Sequence, residues 1–296
     1  MKEKPFSKYQ ILANAVMIIW TLAIILPFIL LFMSSITDEN TLVANGYSFF
    51  PKKFSLASYS YIIKSGGQIL KAYGVSIGVT VVGTLLNVLL SALMAYPLSV
   101  KNLPGRNVMM FFVFFIMLFN GGIVPSYIMW TGTFHIKDTI FAQLLPNFLL
   151  SAWNVMMIRT YFTTSIPDGL YEAAEIDGAS QFTIFWKIVL PLGKPILVTM
   201  GTFAGLAYWN DWTNGLYYIV KNTGLYNVQN LLNQMVQNIQ FLTQSSNSNV
   251  TAAASTIPAT GIQMAIAFVA ILPIMLIFPS FQKYYAKGIA LGAVKG

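Results

Sequence analysis

The sequence predicts an all-α integral membrane protein with six transmembrane helices. Of its 296 residues, 56% are hydrophobic and only 9% are charged, whereas a soluble domain carries about 25% charged residues. Stretches without Asp, Glu, Lys or Arg recur along the chain. Most are long enough to cross the hydrocarbon core of a bilayer, which takes about 20 residues of helix, and the stretch between Lys194 and Asp211 is the core of a further span. The lipid bilayer is therefore the expected surrounding of most of the chain.

These stretches place the six predicted spans within a single transmembrane domain of residues 1–296. The spans are expected at about 11–36, 74–99, 108–131, 140–159, 195–217 and 260–280. The first is longer than the 7–15 residue apolar core of a cleaved signal peptide, so we expect it to be retained. Residues 227–251 are rich in Asn, Gln and Ser and are expected to form a water-exposed loop.

The distribution of positive charge predicts that both termini are cytoplasmic, because cytoplasmic loops of membrane proteins keep Lys and Arg. With that orientation, six of the 17 Lys and Arg fall in outer loops and the other eleven fall inside. The outer set is Lys52, Lys53, Lys64, Lys71, Lys137 and Lys221. The net charge of +8 is scattered among apolar spans rather than gathered in a basic stripe, which argues against nucleic acid as a partner.

The composition also argues against catalysis by this chain. There is no cysteine and only one histidine, His135, so we expect no metal site, no redox chemistry and no histidine-based triad. No GxxxxGK[ST] phosphate loop occurs, so we expect no ATP site and no cofactor in this chain. A membrane-embedded enzyme is disfavoured for the same reasons.

A short loop between the fourth and fifth spans holds four of the nine acidic residues. Ser165 is expected to cap a helix whose first turn contains Pro167 and Asp168. Gly178 is expected to end that helix, and a second helix is expected from about Ser180 to Pro191. The predicted structure is a helix-turn-helix on the cytoplasmic face.

This loop resembles the EAA motif of ABC-importer permeases. The matching residues are Glu172-Ala173-Ala174, Gly178 and Ile188-Val189-Leu190-Pro191, at the spacing of the motif. The resemblance implies that loop 165–191 forms a coupling helix that docks on a cytoplasmic ATPase. The coupling residues it implies are Glu172, Ala173, Ala174, Asp177 and Gly178.

Other stretches resemble the maltose-type carbohydrate permeases. They are Trp209-Asn210-Asp211-Trp212 and the C-terminal run from Gln282 to Gly296. Asn120-Gly121-Gly122 resembles a subgroup linked to complex oligosaccharides, including acidic ones such as alginate or uronides. The resemblance implies a bacterial cell-membrane (inner, cytoplasmic) permease subunit that imports a carbohydrate, an oligosaccharide in particular.

The resemblance also implies a set of partners. They are a second, homologous permease chain, two cytoplasmic ABC ATPases that bind ATP and Mg, and an extracytoplasmic binding protein that delivers the sugar. An ABC permease for a non-sugar solute is the first alternative. An ion-coupled secondary transporter is a weaker one, because such proteins need intramembrane acids or inverted repeats.

The expected substrate path lies at the outer end of the fifth span. Sixteen residues of helix place Asp211 roughly 24 Å above Pro195, near the outer interface. The candidate path residues are Tyr208, Trp209, Asn210, Asp211, Trp212 and Asn120. The aromatic residues fit either an interfacial belt or stacking on sugar rings, and Asp211 fits either a solvated or a functional acid.

Overall fold

The computed structural model describes residues 8–64, 66–244 and 259–293, and the secondary structure of these residues is mainly helical, with no strand assigned. The helices are α1 Lys8–Ser35, α2 Glu39–Asn45, α3 Ala57–Lys64, α4 Gly66–Ser99, α5 Arg106–Leu118, α6 Ile123–Thr133, α7 Phe141–Leu144, α8 Ala152–Ser165, α9 Asp168–Ile176, α10 Gln181–Leu192, α11 Lys194–Asn210, α12 Thr213–Tyr218, α13 Val228–Gln244 and α14 Ala259–Ala293. The last turn and a half of α6 and residues 185–189 of α10 have π-helical hydrogen bonding.

Among the described residues, α1 and α4 are long and apolar enough to cross a bilayer. Two bent pairs add one span each if each pair is counted as one: α5 with α6, bent by 110°, and α10 with α11, bent by 78°. α14 contributes the apolar helix Thr260–Leu276. The α5–α6 bend follows from Gly122, whose positive φ of 86° breaks the helix.

The fourth apolar stretch differs from the continuous helix predicted over 140–159. α7 ends at Leu144, residues 145–151 are not helical, and α8 begins at Ala152. Pro146 cannot donate the hydrogen bond a helix needs, and Asn147 has a positive φ of 66°. The fifth stretch, predicted over 195–217, is also interrupted, because α11 ends at Asn210 and α12 begins at Thr213.

The chain divides into two compact units, residues 1–69 with 232–273 and residues 70–231 with 274–296. In the first unit, Ile62 packs with Ile262, Ala265 and Ile266. The Glu39 carboxylate accepts hydrogen bonds from the backbone N–H groups of Thr260 and Gly261, both at 2.8 Å. A carboxylate from α2 thus satisfies donors that the start of α14 leaves free.

In the second unit, the main core lies where α4, α8 and α10 meet. Its buried members include Ala92, Tyr96, Ile158, Phe162 and Phe185. Gly193, between α10 and α11, lies tightly against the Phe162 ring. The two helices that flank the loop 165–191 are therefore anchored in one apolar core.

The predicted water-exposed loop 227–251 is wrong over its first part. Residues 228–244 form α13, whose first turn is buried at Val228, Asn230 and Leu231. Asn227 caps this helix, since its Oδ1 accepts from the Asn230 N–H at 2.8 Å. Polar composition suggested a loop, but here the amides serve as a cap and as buried hydrogen-bonding groups. Residues 245–258 lie outside the described residues.

Candidate functional site

The loop 165–191 is a helix-turn-helix, as predicted. α9 begins at Asp168, but the predicted cap at Ser165 is wrong: Ser165 is the last residue of α8, and Pro167 precedes α9 without a side-chain hydrogen bond. Asp168 instead pairs with Lys101, whose Nζ lies 2.5 Å from Oδ2. Both side chains are more than half exposed, so this ion pair contributes at most about 1 kcal/mol.

Gly178 ends the first helix of the loop, as predicted. Its φ is +74°, the left-handed conformation that favours glycine. The Gly178 N–H donates to the Glu175 carbonyl at 3.0 Å, and the Ala179 N–H donates to the Ala174 carbonyl at 2.9 Å. A Cβ added at Gly178 would meet nothing within 4 Å. Backbone conformation, not space, therefore requires glycine here.

The second helix of the loop starts at the residue predicted. Ser180 caps α10 by accepting from the Thr183 N–H at 3.3 Å. Four residues, 177–180, therefore separate the two helices, and a turn with fixed hydrogen bonds joins them. Such a turn can move as one body with the helices it joins.

The two alanines of the motif face different surroundings. Ala174 is buried against the core of α4, α8 and α10. Ala173, Glu172 and Asp177 are exposed, as are the large apolar side chains of Ile176 (86%) and Phe182 (68%). Ala174 therefore packs on the chain itself, whereas the loop leaves exposed a small residue, two acids and two large apolar side chains, Ile176 of α9 and Phe182 of α10, which another molecule could cover.

The predicted path residues divide into buried and exposed members. Tyr208, Trp209 and Asp211 are 1%, 8% and 4% exposed, whereas Asn210 is exposed and Trp212 is 45% exposed. Tyr208 is occupied structurally, because its hydroxyl donates to the Leu144 carbonyl at 2.9 Å. Its ring lies so close to Gly83 that no side chain would fit there.

Asp211 is buried rather than solvated. Its Oδ1 accepts from the N–H groups of Thr213 at 3.0 Å and Asn214 at 3.2 Å, which fixes the start of α12. Asp211 Oδ2 and the indole N–H of Trp209 are both buried and find no partner among the described residues. A buried polar atom without a partner is costly and is often explained by water or a ligand.

A cluster of buried amides surrounds this site, and the sequence reading missed it. We call Gln143, Asn214, Asn227 and Asn230, together with Asp211, the amide cluster. Asn227 Nδ2 donates to the Asp211 carbonyl at 2.6 Å and to Gln143 Oε1 at 3.2 Å. Asn230 Nδ2 donates to the Trp212 carbonyl. The only signal in the sequence was the recurrence of Asn and Gln within and beside apolar stretches.

The non-helical segment 145–151 depends on side chains from other elements. The carbonyls of Leu144, Pro146 and Phe148 accept from Tyr208, Asn214 and Asn87, respectively. Asn87 Oδ1 in turn accepts from Asn154 Nδ2 at 2.7 Å. Irregular backbone at membrane depth needs such partners, because hydrocarbon offers none.

Asp138 joins two loops near this cluster. Its Oδ1 accepts from three consecutive N–H groups, those of Val220 and Lys221 at 2.7 Å and Asn222 at 3.2 Å. The bond from the Lys221 N–H is the largest cause that lowers the pKa of Asp138 below its usual value. The carboxylate form is therefore the one that holds residues 220–222.

A groove of about 460 Å³ lies beside these loops. One face of α4, residues 71–82, forms one wall, and Ile140, Leu144 and Gly224 form the other. Lys71 is the one charged residue of this lining. The volume falls within the range of ligand pockets, about 300–1,000 Å³.

The family described as "Binding-protein-dependent transport system inner membrane component" matches residues 73–291. The chain belongs to this family. The predicted resemblance to ABC-importer permeases is thereby confirmed, and the chain is a component of a transport system.

Relatives of this inner membrane component cover nearly all of it. Protein LplC of Bacillus subtilis (strain 168) is 36% identical over 272 residues, which are 92% of this chain and 90% of that protein. The polygalacturonan/rhamnogalacturonan transport system permease protein YtcP of the same organism is 35% identical over 288 residues, 97% and 98% of the two chains. An arabinooligosaccharides transport system permease protein AraQ, from Halalkalibacterium halodurans, is 28% identical over 280 residues, 92% of this chain and 91% of that protein.

A solved structure shows the same fold. It is a chain of a bacterial ABC transporter involved in the import of the acidic polysaccharide alginate, 25% identical, with a TM-score of 0.79. The match covers 96% of this inner membrane component and 100% of that chain. Fold and family therefore agree over almost the full length.

Proposed function

We propose that this inner membrane component is one of two permease subunits of an ABC importer for an oligosaccharide. The observation that carries the proposal is the loop 165–191, which joins a conformationally fixed turn to an exposed acidic and apolar face. Six spans with both termini in the cytoplasm put this loop on the cytoplasmic side. The excess of Lys and Arg in the inner loops supports that orientation.

On that face, α9 docks on an ATPase subunit as the coupling helix. Ala173 lets a partner backbone approach closely, and Glu172 and Asp177 supply acceptors for charge-assisted hydrogen bonds. Ile176 and Phe182 supply exposed apolar side chains that a cleft in the partner can bury. ATP and Mg²⁺ bind to the two ATPases, and a binding protein delivers the sugar from outside.

The proposed substrate class is an acidic oligosaccharide. The names of YtcP and of the alginate transporter support this class. The charges of the predicted outer loops support it as well, because the carboxylates of these loops are internally engaged: Asp38 with Lys53 at 3.2 Å, Glu39 with the start of α14, and Asp138 with residues 220–222. Lys71, on the wall of the groove, offers an ammonium group to a uronate carboxylate.

The outer end of α11 contributes to the sugar path. Trp212 and Asn210 are accessible. The Trp209 indole N–H and Asp211 Oδ2 are buried polar groups without a hydrogen-bond partner among the described residues. The amide cluster holds these residues in place. Asn120 lies exposed at the α5–α6 bend, where its Oδ1 accepts from the Gly122 N–H at 2.8 Å.

The test is uptake in proteoliposomes that contain this chain with its co-purifying permease, ATPases and binding protein. We expect ATP-dependent uptake of oligogalacturonate in preference to neutral arabino-oligosaccharides of the same length. Lys71→Gln should weaken uptake of the acidic sugar several-fold. Lys137→Gln, the matched control, changes an outer lysine that bonds the Tyr127 hydroxyl at 3.1 Å and should leave the preference unchanged.

Uptake that follows an ion gradient and needs no ATPase would refute the function. Equal uptake of neutral and acidic sugars would refute the substrate class alone. The topology has a separate test, since the chain has no cysteine. A single cysteine at Asn222 should react with an impermeant maleimide in intact cells, and one at Ser180 should not; the reverse pattern contradicts the orientation.

A further inference from the structure

The coupling loop is joined to α4 by a chain of side-chain hydrogen bonds. The Tyr96 hydroxyl, on α4, donates to Gln181 Oε1 at 2.6 Å. Gln181 Nε2 donates to Glu175 Oε1, on α9, at 2.9 Å. Gln181 is the first residue of α10, so one amide bridges the two helices of the loop and the membrane helix above them.

The α4 end of this relay lies in a packed core. Tyr96 is 8% exposed, and its ring centroid lies 5.4 Å from that of Phe185 and 6.4 Å from that of Tyr171. Tyr171 belongs to α9, between Leu170 and Glu172. Because close-packed interiors transmit displacement rather than absorb it, movement of α9 is passed to Tyr96 through both its ring and its hydroxyl.

The other end of the same helix lines the groove and contacts Val228 and Trp209, which are sequence neighbours of amide-cluster residues. From Tyr96 to Lys71, α4 is continuous, and 25 residues of helix span roughly 37 Å. Near its start, Ser76 Oγ accepts from the Val228 N–H at 2.8 Å, and Tyr73 lies 6.3 Å from the Trp209 ring. A displacement at Tyr96 is therefore delivered to the residues proposed for the sugar path.

We propose that α4 transmits the movement of the coupling helix to the outer side of this permease. Tyr96, Gln181 and Glu175 are the positioning residues that connect α4 to the coupling helix. The inference rests on the proposed function, because it assumes that α9 receives ATPase movement. It adds a route for the movement, which passes from the coupling helix through Gln181 and Tyr96 to α4, and along α4 to the outer residues. None of these three residues needs to touch the sugar or the nucleotide.

The test measures sugar uptake per ATP hydrolysed in the reconstituted full transporter. Tyr96→Phe removes one hydroxyl and keeps the ring, and Gln181→Leu removes both bonds of the bridge. A hydrogen bond is worth about 0.5–1.5 kcal/mol, so each variant should lower uptake per ATP roughly two- to tenfold. Because the two act through one relay, the double variant should be no worse than the poorer single variant.

Two further variants separate transmission from folding. Glu175→Gln keeps an acceptor for the Gln181 amide and should keep coupling near the unmodified level, whereas Glu175→Leu should lower it. Tyr161→Phe, the matched control, removes a hydroxyl from a half-buried tyrosine of α8 outside the relay and should couple normally. A fluorophore on a single cysteine at position 70, an exposed position near the start of α4, should report a smaller ATP-dependent change in Tyr96→Phe.

Unmodified coupling in both Tyr96→Phe and Gln181→Leu, or losses that multiply in the double variant, would overturn the relay. Failure of the proposed function looks different, because uptake by the unmodified transporter would then not depend on ATP. Failure of the coupling loop alone would leave Glu172→Ala and Gly178→Val normally coupled as well. If those two variants uncouple while the relay variants do not, only the proposed role of α4 in transmitting the movement is refuted.

Discussion

The helix-turn-helix loop 165–191 and the amide cluster are built in opposite ways. In the loop, the turn hydrogen bonds join residues three to five positions apart, such as Gly178 with Glu175 and Ala179 with Ala174. The amide cluster adds bonds from amide side chains that join residues 16 to 87 positions apart, such as Asn227 with Asp211 and Gln143 with Asn230. The loop is held by bonds between residues close in sequence and presents an exposed surface. The cluster is held by bonds between residues distant in sequence and joins interrupted helices.

This difference has a consequence for mutation. A change in the loop should alter what the transporter does while the protein still folds, because its working face is exposed. A change in the buried amides should alter whether the protein folds, because each amide satisfies backbone that has no other partner. The following variants test that contrast.

The largest expected effect is on stability, from Asn87→Leu. The substitution leaves the Phe148 carbonyl and Asn154 Nδ2 without partners, and each buried group left unpaired costs about 1–3 kcal/mol. We expect a markedly lower unfolding temperature of the purified chain in detergent. Asn107→Leu, on an exposed position of α5, is the control. Equal unfolding temperatures for the two variants would show that segment 145–151 does not depend on Asn87.

The same contrast explains how much the sequence could predict. Local spacing predicted the helix-turn-helix over 165–191, the end of its first helix at Gly178 and a second helix from about Ser180, because each depends on residues a few positions away. The cap at Ser165 was wrong because α8 extends through that residue. The helix 228–244 and the breaks after Leu144 and Asn210 depend on distant partners such as Ser76, Asn87 and Tyr208, which a linear reading cannot place.

An intermediate effect is expected at the sugar path. Trp209→Ala, Asp211→Ala and Trp212→Ala should each lower oligosaccharide uptake, because they remove ring faces and polar groups that suit a sugar. Tyr208→Phe should mainly lower stability, by about 0.5–1.5 kcal/mol, through the lost bond to the Leu144 carbonyl. Normal uptake in all three alanine variants would favour a structural aromatic belt.

The smallest expected effect concerns pH and Asp138. Its pKa is lower in the folded chain than in an unfolded one, so its contribution is present above the unfolded value and is lost as pH falls through the folded value. Hydrogen exchange at the 220–222 amides, corrected for intrinsic rates, should speed up at the acid end of that range. In Asp138→Ala exchange should be fast at every pH. Exchange that is insensitive to both changes would contradict the anchor.

The loop 165–191 is proposed to transmit ATPase movement. Graded changes at two of its positions, Glu172 and Gly178, test that proposal. Glu172→Ala removes a charge-assisted hydrogen bond worth about 1.5–3 kcal/mol. At Gly178 a Cβ has room, so the cost comes from the positive φ alone: Val should be worst, Ala milder, and Asn, which tolerates this conformation, best.

The measurement is sugar-stimulated ATP hydrolysis together with uptake, in proteoliposomes of the assembled transporter. We expect Glu172→Ala and Gly178→Val to lower both activities together without loss of membrane insertion. We expect Gly178→Asn to retain most of the coupling. Full coupling in both Glu172→Ala and Gly178→Val would show that the loop 165–191 is not the element that transmits the movement.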